Sequence, residues 1–196
     1  MPHIKNIITF LTSVLFAIIS LLLFFVYRMN YVDICDFYFI FEPQVYELLN
    51  VLYGSVLSYM TYDTIRMFVA KDVKYDLFIH HLFVGGCILF FWINDFLHHA
   101  VVSYLLYEIP NIPLAIMNFK TSIRFVNDRF SIFAGTFALL FFIVRIVYGS
   151  FLTYECVNCI ITSGTITYIA VLLCGFHLLN IFWFFKIVIM ITKRTR

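Results

Sequence analysis

The stretch Asp76-Leu77-Phe78-Ile79-His80-His81-Leu82-Phe83-Val84 sets two adjacent histidines at the mouth of an apolar run that continues to Ile93, with a carboxylate four residues ahead of the first. Ionisable groups placed against hydrocarbon are costly and ask for a reason. The rest of the chain decides whether hydrocarbon surrounds them. Its 196 residues are 63% hydrophobic and 20% aromatic but only 12% charged, with a mean hydropathy of +0.98. An ordinary soluble domain carries about 25% charged residues, and half that share leaves too little polar surface to wet a globule. A membrane β-barrel would alternate polarity in short segments. Here the apolar runs are long and continuous, so helices are the spans that satisfy every backbone group within lipid. The fold class is therefore an all-α, polytopic transmembrane bundle of about six spans.

Outward from the third span, Asp76 to Ile93, the other spans follow. A charged turn, Ala70 to Tyr75, joins it to a second span, Val45 to Val69, which carries Asp63 and Arg66. Before that lie an acidic, aromatic loop from Arg28 to Gln44 and an uncharged first span, Ile7 to Tyr27. That span has the roughly 20 residues a crossing needs. Lacking a short core and a small-residue cleavage site, it reads as retained rather than as a signal peptide. The fourth span, His98 to Asn118, contains Glu108, Pro110, Asn111 and Pro113. Proline removes a backbone donor, so this span is expected to bend or partly unwind there. A basic loop from Lys120 to Arg129 precedes a fifth span, Phe130 to Tyr154, which carries Arg145. A short loop, Glu155 to Gly164, holds Cys156-Val-Asn-Cys159, and a sixth span runs from Thr165 to Ile191. The chain thus reads as a first span and non-cytosolic loop (1–44), a transmembrane core (45–191) and a basic cytosolic tail (192–196).

Six spans put both termini on one side. That side holds Lys5, Lys71, Lys74, Lys120, Arg124, Arg129, Lys193, Arg194 and Arg196, and the other holds Arg28 alone. Excess Lys and Arg mark the cytosolic side, so both termini are expected there. Neither a basic arm nor a nucleic-acid motif is present, and no nucleic-acid partner is expected.

Three basic residues remain inside spans. Lys186 can snorkel to the cytosolic interface. Arg66 lies three residues from Asp63, on the same helix face, and can pair with it. Arg145 lies deeper and needs a partner within the bundle. By depth, His80 and His81 sit about one turn inside the membrane, level with Asp63 and Arg66. Glu108 is near the middle of the fourth span. His177 and Asn180, three residues apart on one face, are near the middle of the sixth. These seven groups are expected to line one cavity open to the cytosol.

Adjacent helical residues point about 100° apart, so one histidine can face a cavity while a neighbouring helix holds the other. Asp76 and His80 are spaced i, i+4, which orients a ring and raises its basicity. That suits general-base or nucleophilic work on an acyl group. The competing reading is a pair of structural interfacial histidines. Metal binding is disfavoured, because adjacent histidines are not the i, i+4 pair with which a helix chelates, and no metal is expected. His98 and His99, at the other membrane face, read as an interfacial cap of the fourth span. Cys156-x-x-Cys159 lacks the second pair or the βαβ context of a zinc or redox site. Unpaired cysteines are expected, with a lumenal disulfide through Cys35 as the alternative.

The motifs resemble those of TLC-domain proteins, the family of ceramide synthases, TRAM-type translocon proteins and several lipid-regulating membrane proteins. The resemblance covers Gly54 to Ile187. It rests on Ser58-Tyr59-x-x-Tyr62-Asp63, on Lys74-Tyr75-Asp76-Leu-Phe-Ile-His80-His81, on Tyr107-Glu108 with the proline-asparagine stretch, on Phe142-Ile-Val-Arg145-Ile-Val-Tyr148-Gly149, and on Leu178-Leu179-Asn180-Ile-Phe-Trp183-Phe-Phe-Lys186. It is closest to the small TLC-domain-containing branch. Ceramide synthases follow the histidine pair with a His-Asp motif on the next span, where this chain reads Tyr104-Leu-Leu-Tyr107-Glu108-Ile-Pro-Asn111. The resemblance implies His80, His81 and Asp63 as candidate catalytic residues, and a lipid site drawing on Arg66, Asp76, Glu108, His177 and Asn180.

Three functions follow as expectations. The first is a protein that binds or handles lipid, an acyl chain or a sphingoid lipid, and influences membrane lipid composition. The second is an N-acyltransferase of ceramide-synthase type that takes acyl-CoA as donor substrate and otherwise needs no cofactor. The third is a TRAM-like protein-interaction component. Membrane lipid is the expected partner, homo-oligomerisation is compatible with the sequence, and the expected location is the endoplasmic reticulum or another endomembrane (a host membrane for a viral source).

Overall fold

Backbone N–H and C=O groups that cannot reach water must bond within their own segment. The chain obeys this throughout what a computed structural model describes: residues 2–29, 43–95, 97–119, 128–162, 164 and 167–194, among which there is no strand. The long uninterrupted runs form α1 (Pro2–Met29), α2 (Pro43–Val69) and α3 (Tyr75–Ile93). The fourth span is broken as its prolines predict, into α4 (His98–Leu105), a 3₁₀ turn (Leu106–Glu108) and α5 (Asn111–Met117). Pro110 has no N–H for the Leu106 carbonyl, so the Ile109 N–H bonds it at 3.0 Å. Pro113 likewise leaves the Ile109 carbonyl to the Ile112 N–H at 3.2 Å. These i→i+3 bonds tighten the chain where i→i+4 bonds fail.

The fifth span comprises α6 (Phe130–Leu140), a π-helical stretch (Phe141–Tyr148) and α7 (Gly149–Thr162), and α8 (Thr167–Arg194) follows. The loop expected over Glu155 to Gly164 is a correction, since the chain stays helical through Thr162. Residues 155–162 contain no proline or glycine, and Thr162 Oγ1 bonds the Asn158 carbonyl at 2.8 Å. A few polar residues do not stop a helix that meets no breaker.

Among the described residues, five helical stretches are long and apolar enough to cross a membrane: Asn6–Val26, Tyr75–Ile93, His98–Met117, Phe130–Thr162 and Tyr168–Thr192. With 27 residues α2 has the length for a sixth, though Glu47, Asn50, Asp63 and Arg66 make it more polar. The surface is apolar where that of a soluble protein would be polar. α1 buries Ser13 and Ser20 while exposing Leu11, Leu15, Ile18, Leu22 and Phe25. α8 buries Asn180 while exposing Val171, Leu178, Phe182, Phe185 and Ile189. An apolar exterior that leaves isolated polar groups inside is the arrangement that lipid, not water, stabilises. The protein is an integral, multi-pass membrane protein.

The chain falls into two compact units, Leu22–Val102 and Met1–Leu21 with Ser103–Arg196. In the first, α2 and α3 pack as an antiparallel hairpin. The buried stripe of α2 runs Leu49, Leu52, Tyr53, Val56, Met60, Asp63 and Met67, the i, i+3, i+4 spacing of one helix face. α2 ends in a Schellman motif. The Asp72 N–H bonds the Met67 carbonyl and the Lys71 N–H bonds the Phe68 carbonyl, both at 3.1 Å, with Lys71 at φ +51°. In the second unit α5 packs on α6, α7 on α8, and the π-helical stretch on α7 and α8. Met117, Phe137, Phe141 and Ile187 form a core there, flanked by Trp183 and Phe184. Asn6 Nδ2 donates to the Asn118 carbonyl at 2.9 Å and ties α1 to the end of α5.

Candidate functional site

The antiparallel α2–α3 hairpin pairs residues that are roughly equidistant from its turn. Thr64 lies eight residues before Asp72 and His81 nine after it, and Thr64 Oγ1 is hydrogen-bonded to His81 Nδ1 at 3.0 Å. His81 Nε2 faces Asp63 Oδ2 at 3.9 Å. Arg66 Nε donates to Asp63 Oδ1 at 2.8 Å, the pairing expected from their spacing. Asp63 and His81 are buried, and Arg66 and His80 are half-buried. The rings of His80 and His81 lie 5.8 Å apart, tilted by 52°. Asp76, in the first turn of α3, accepts a hydrogen bond from the Leu77 N–H at 3.1 Å. The result is a carboxylate shared between a guanidinium and an imidazole whose other nitrogen is held by a hydroxyl. Such an arrangement can orient a proton-accepting histidine, or it can bind a polar head through Arg66 and His80. Thr64 was not picked out from the sequence, although its place relative to the turn is a signal that would have found it.

A second polar cluster occupies the other end of this hairpin. Tyr53 Oη is hydrogen-bonded to His98 Nδ1 at 2.8 Å, His98 Nε2 faces Asp95 Oδ1 at 3.5 Å, and Tyr46 Oη donates to Asp95 Oδ1 at 2.6 Å. Trp92 Nε1 donates to Asn50 Oδ1 at 2.7 Å. His98 begins α4, and His98 and His99 are both buried. The turn that His98 closes holds Asp95 and Leu97 at φ +47° and +56°. Side chains dislike that region, and the hydrogen bond from Tyr46 to Asp95 helps hold the turn in place.

In the other unit Arg145 sits in the π-helical stretch at 4% exposure. Its Nε and Nη2 both donate to the Tyr107 carbonyl, at 3.0 and 2.7 Å. Nη2 also reaches Asn111 Oδ1 at 3.2 Å and Nη1 reaches Asn180 Oδ1 at 3.3 Å. Asn111 Nδ2 donates to Glu108 Oε2 at 2.8 Å, so the acid reaches the guanidinium through an amide. The guanidinium also lies 5.0 Å from the Phe141 ring centroid and 5.7 Å from that of Tyr107. The partner that the sequence demanded for Arg145 is thus a set of neutral oxygens. His177 Nε2 is hydrogen-bonded to Ser150 Oγ at 3.0 Å. Lys186 is exposed on α8 with its ammonium 5.3 Å from the Phe182 ring centroid, as a snorkelling side chain would be.

Of the seven residues expected around one cavity, Asp63, Arg66, His80 and His81 belong to the unit Leu22–Val102, and Glu108, His177 and Asn180 to the other. Among the described residues no group of three or more His, Cys, Asp or Glu could hold a metal ion.

A family model, the TLC domain, matches residues 4–189. The chain belongs to the TLC-domain family. No curated protein and no solved structure matches it. Within this TLC domain the Cys156-x-x-Cys159 pair lies on α7 rather than in a loop, and its two cysteines differ. Cys159 is disulfide-bonded, whereas Cys87, Cys156 and Cys174 carry free thiols. Unpaired cysteines were expected, and Cys159 corrects this. Its partner, like the candidate Cys35, lies outside the described residues.

Proposed function

We propose that this TLC-domain protein binds and handles membrane lipid, holding an acyl chain or sphingoid lipid among its helices with the polar head at the Asp63–Arg66–His81 network. The observation that carries this reading is that network itself, a buried carboxylate with a half-buried guanidinium beside two histidines, one buried and one half-buried, on a hairpin whose second helix is long and apolar enough to cross a membrane. Such groups within a membrane mark functional sites by default. Its place one or two turns from the Lys71–Lys74 connection fits a site reached from the cytosolic side, with both termini on that side and residence in an endomembrane. Mass spectrometry of lipid extracted from the purified protein should show an enriched species that His80→Ala or Asp63→Asn depletes. Bulk lipid alone, unchanged in the variants, would sink the proposal.

The orientation of His81 supports a second reading, acyl-CoA-dependent N-acylation. His81 would take the proton of an attacking amine while the amine nitrogen bonds to the acyl carbon, the thioester C–S bond breaks, and the proton passes from His81 to the departing CoA thiolate. Arg66 and Lys74 would hold donor phosphates. Membranes incubated with acyl-CoA and a labelled sphingoid base should form an amide product that is lost in the His80→Ala/His81→Ala protein. Product formation independent of both histidines, or none at all, rejects this reading for those substrates.

A further inference from the structure

The Arg145 network leaves two polar atoms of its own unit unused. The Tyr107 hydroxyl and His177 Nδ1 are buried and have no hydrogen-bond partner among the described residues. The Tyr107 side chain is itself only 3% exposed. Both atoms converge on Gly149. A Cβ at that position would collide with the Tyr107 hydroxyl, stand 3.0 Å from Tyr107 Cζ and lie 3.5 Å from His177 Nδ1. Glycine is therefore the residue that leaves room for the hydroxyl. The next residue, Ser150, holds the other ring nitrogen of His177 and is exposed on a flank shared with Val147 and Phe151. A polar pair thus opens toward the bilayer from an apolar helix face, and two hydrogen-bonding atoms wait behind it.

The chemistry of these groups defines what they can take. Tyr107 Oη both donates and accepts, and His177 Nδ1 does one or the other according to how Ser150 bonds Nε2. None of the four residues carries a fixed charge, and the nearby guanidinium is committed to Tyr107, Asn111 and Asn180 oxygens. Gly149 stands near the middle of the membrane-crossing stretch Phe130–Thr162, a depth at which a phosphate or ammonium head is costly. A buried donor or acceptor without a partner is costly too, and an uncharged hydroxyl removes that cost. We propose that Tyr107, Gly149, Ser150 and His177 form a membrane-facing recess for the hydroxyl of an uncharged lipid, bonded to Tyr107 Oη and His177 Nδ1. These residues belong to the other compact unit from the Asp63–His81 network, and the recess does not depend on the headgroup reading.

The test uses the full chain in phosphatidylcholine nanodiscs and two photoactivatable diazirine probes, a long-chain alcohol and the same chain lacking the hydroxyl. The alcohol should label α7 and α8 about twenty-five-fold more than the hydrocarbon, the product of two hydrogen bonds at about five-fold each. Tyr107→Phe, which deletes only the hydroxyl oxygen, should cut that preference about five-fold, and Gly149→Ala should lower it as well. Melting curves establish that each variant is folded, and Tyr107→Phe decides should Gly149→Ala prove unstable. Equal labelling by the two probes, or a labelling preference undiminished by Tyr107→Phe, overturns the proposal and leaves water as the partner of these atoms.

Discussion

On the α2–α3 hairpin a carboxylate and a guanidinium three residues apart neutralise each other, and Arg66 and His80 remain half-buried. Around Phe141–Tyr148 a guanidinium at 4% exposure is held by a carbonyl and two amide oxygens, and its acid is reached only through Asn111. The first network keeps titratable groups half-buried near a helix end. The second commits nearly every donor of its arginine to the fold. Buried charge is thus held in two ways in one chain, by its own counter-ion on the hairpin and by the oxygens of three broken or polar segments at the π-helical turn.

The sharpest way to break this contrast is to remove Arg145. Arg145→Ala strands the Tyr107 carbonyl and both amides in the interior, and loss of one partner of a buried charged network costs about 3–5 kcal/mol. The melting temperature in detergent should collapse, and Arg145→Lys should not restore it, because an ammonium lacks the fork that bonds one carbonyl twice. A variant as stable as the wild type would show that the arginine does not anchor the fold. Gly149→Ala should follow, at about 1–3 kcal/mol for overpacking against Tyr107. Adding Tyr107→Phe should recover part of that loss, and if the double variant melts no higher than the single one, the clash is not the cause. On the hairpin the order of effects reverses. Asp63→Asn frees Arg66 and releases His81, so binding of the enriched lipid should fall about ten-fold, while stability drops by about 1 kcal/mol. A large stability loss with lipid retained would make this network the anchor instead. The smallest effect belongs to Lys71→Gly. Lys71 is exposed at φ +51°, and glycine there should raise stability by about 1 kcal/mol without touching lipid binding.

The spans, the break at Pro110 and Pro113 and the Asp63–Arg66 pair were all legible, because run length, a missing N–H and a three-residue spacing are local properties. Bonds between helices were not. His98 meets Tyr53 and Arg145 meets the Tyr107 carbonyl across 45 and 38 residues of sequence, and a carbonyl carries no side-chain signature to search for. The end of α2 was placed correctly at Val69, yet nothing in Val69-Ala70-Lys71-Asp72 announces a left-handed lysine where glycine is usual. Glu155 and Asn158 suggested a loop that the absence of any breaker overruled. Depth gives no azimuth around a helix, so it could not tell that Asp63 faces His81, that Glu108 and Asn180 converge on Arg145, the acid through Asn111, or that His177 meets Ser150.

The π-helical stretch holds eight residues, Phe141–Tyr148, in a winding wider than that of an α-helix. A π-helix turns the chain by less per residue than the roughly 100° of an α-helix, so these eight residues make about the turn that seven would make in α geometry. Deleting one residue while restoring α geometry would therefore leave α7 facing as it does, with Gly149 on Tyr107 and Ser150 on His177. A deletion or insertion that kept the wide winding would instead swing both off their neighbours. The stretch thus holds one residue more than the register of the span needs, and Arg145 sits within that surplus turn.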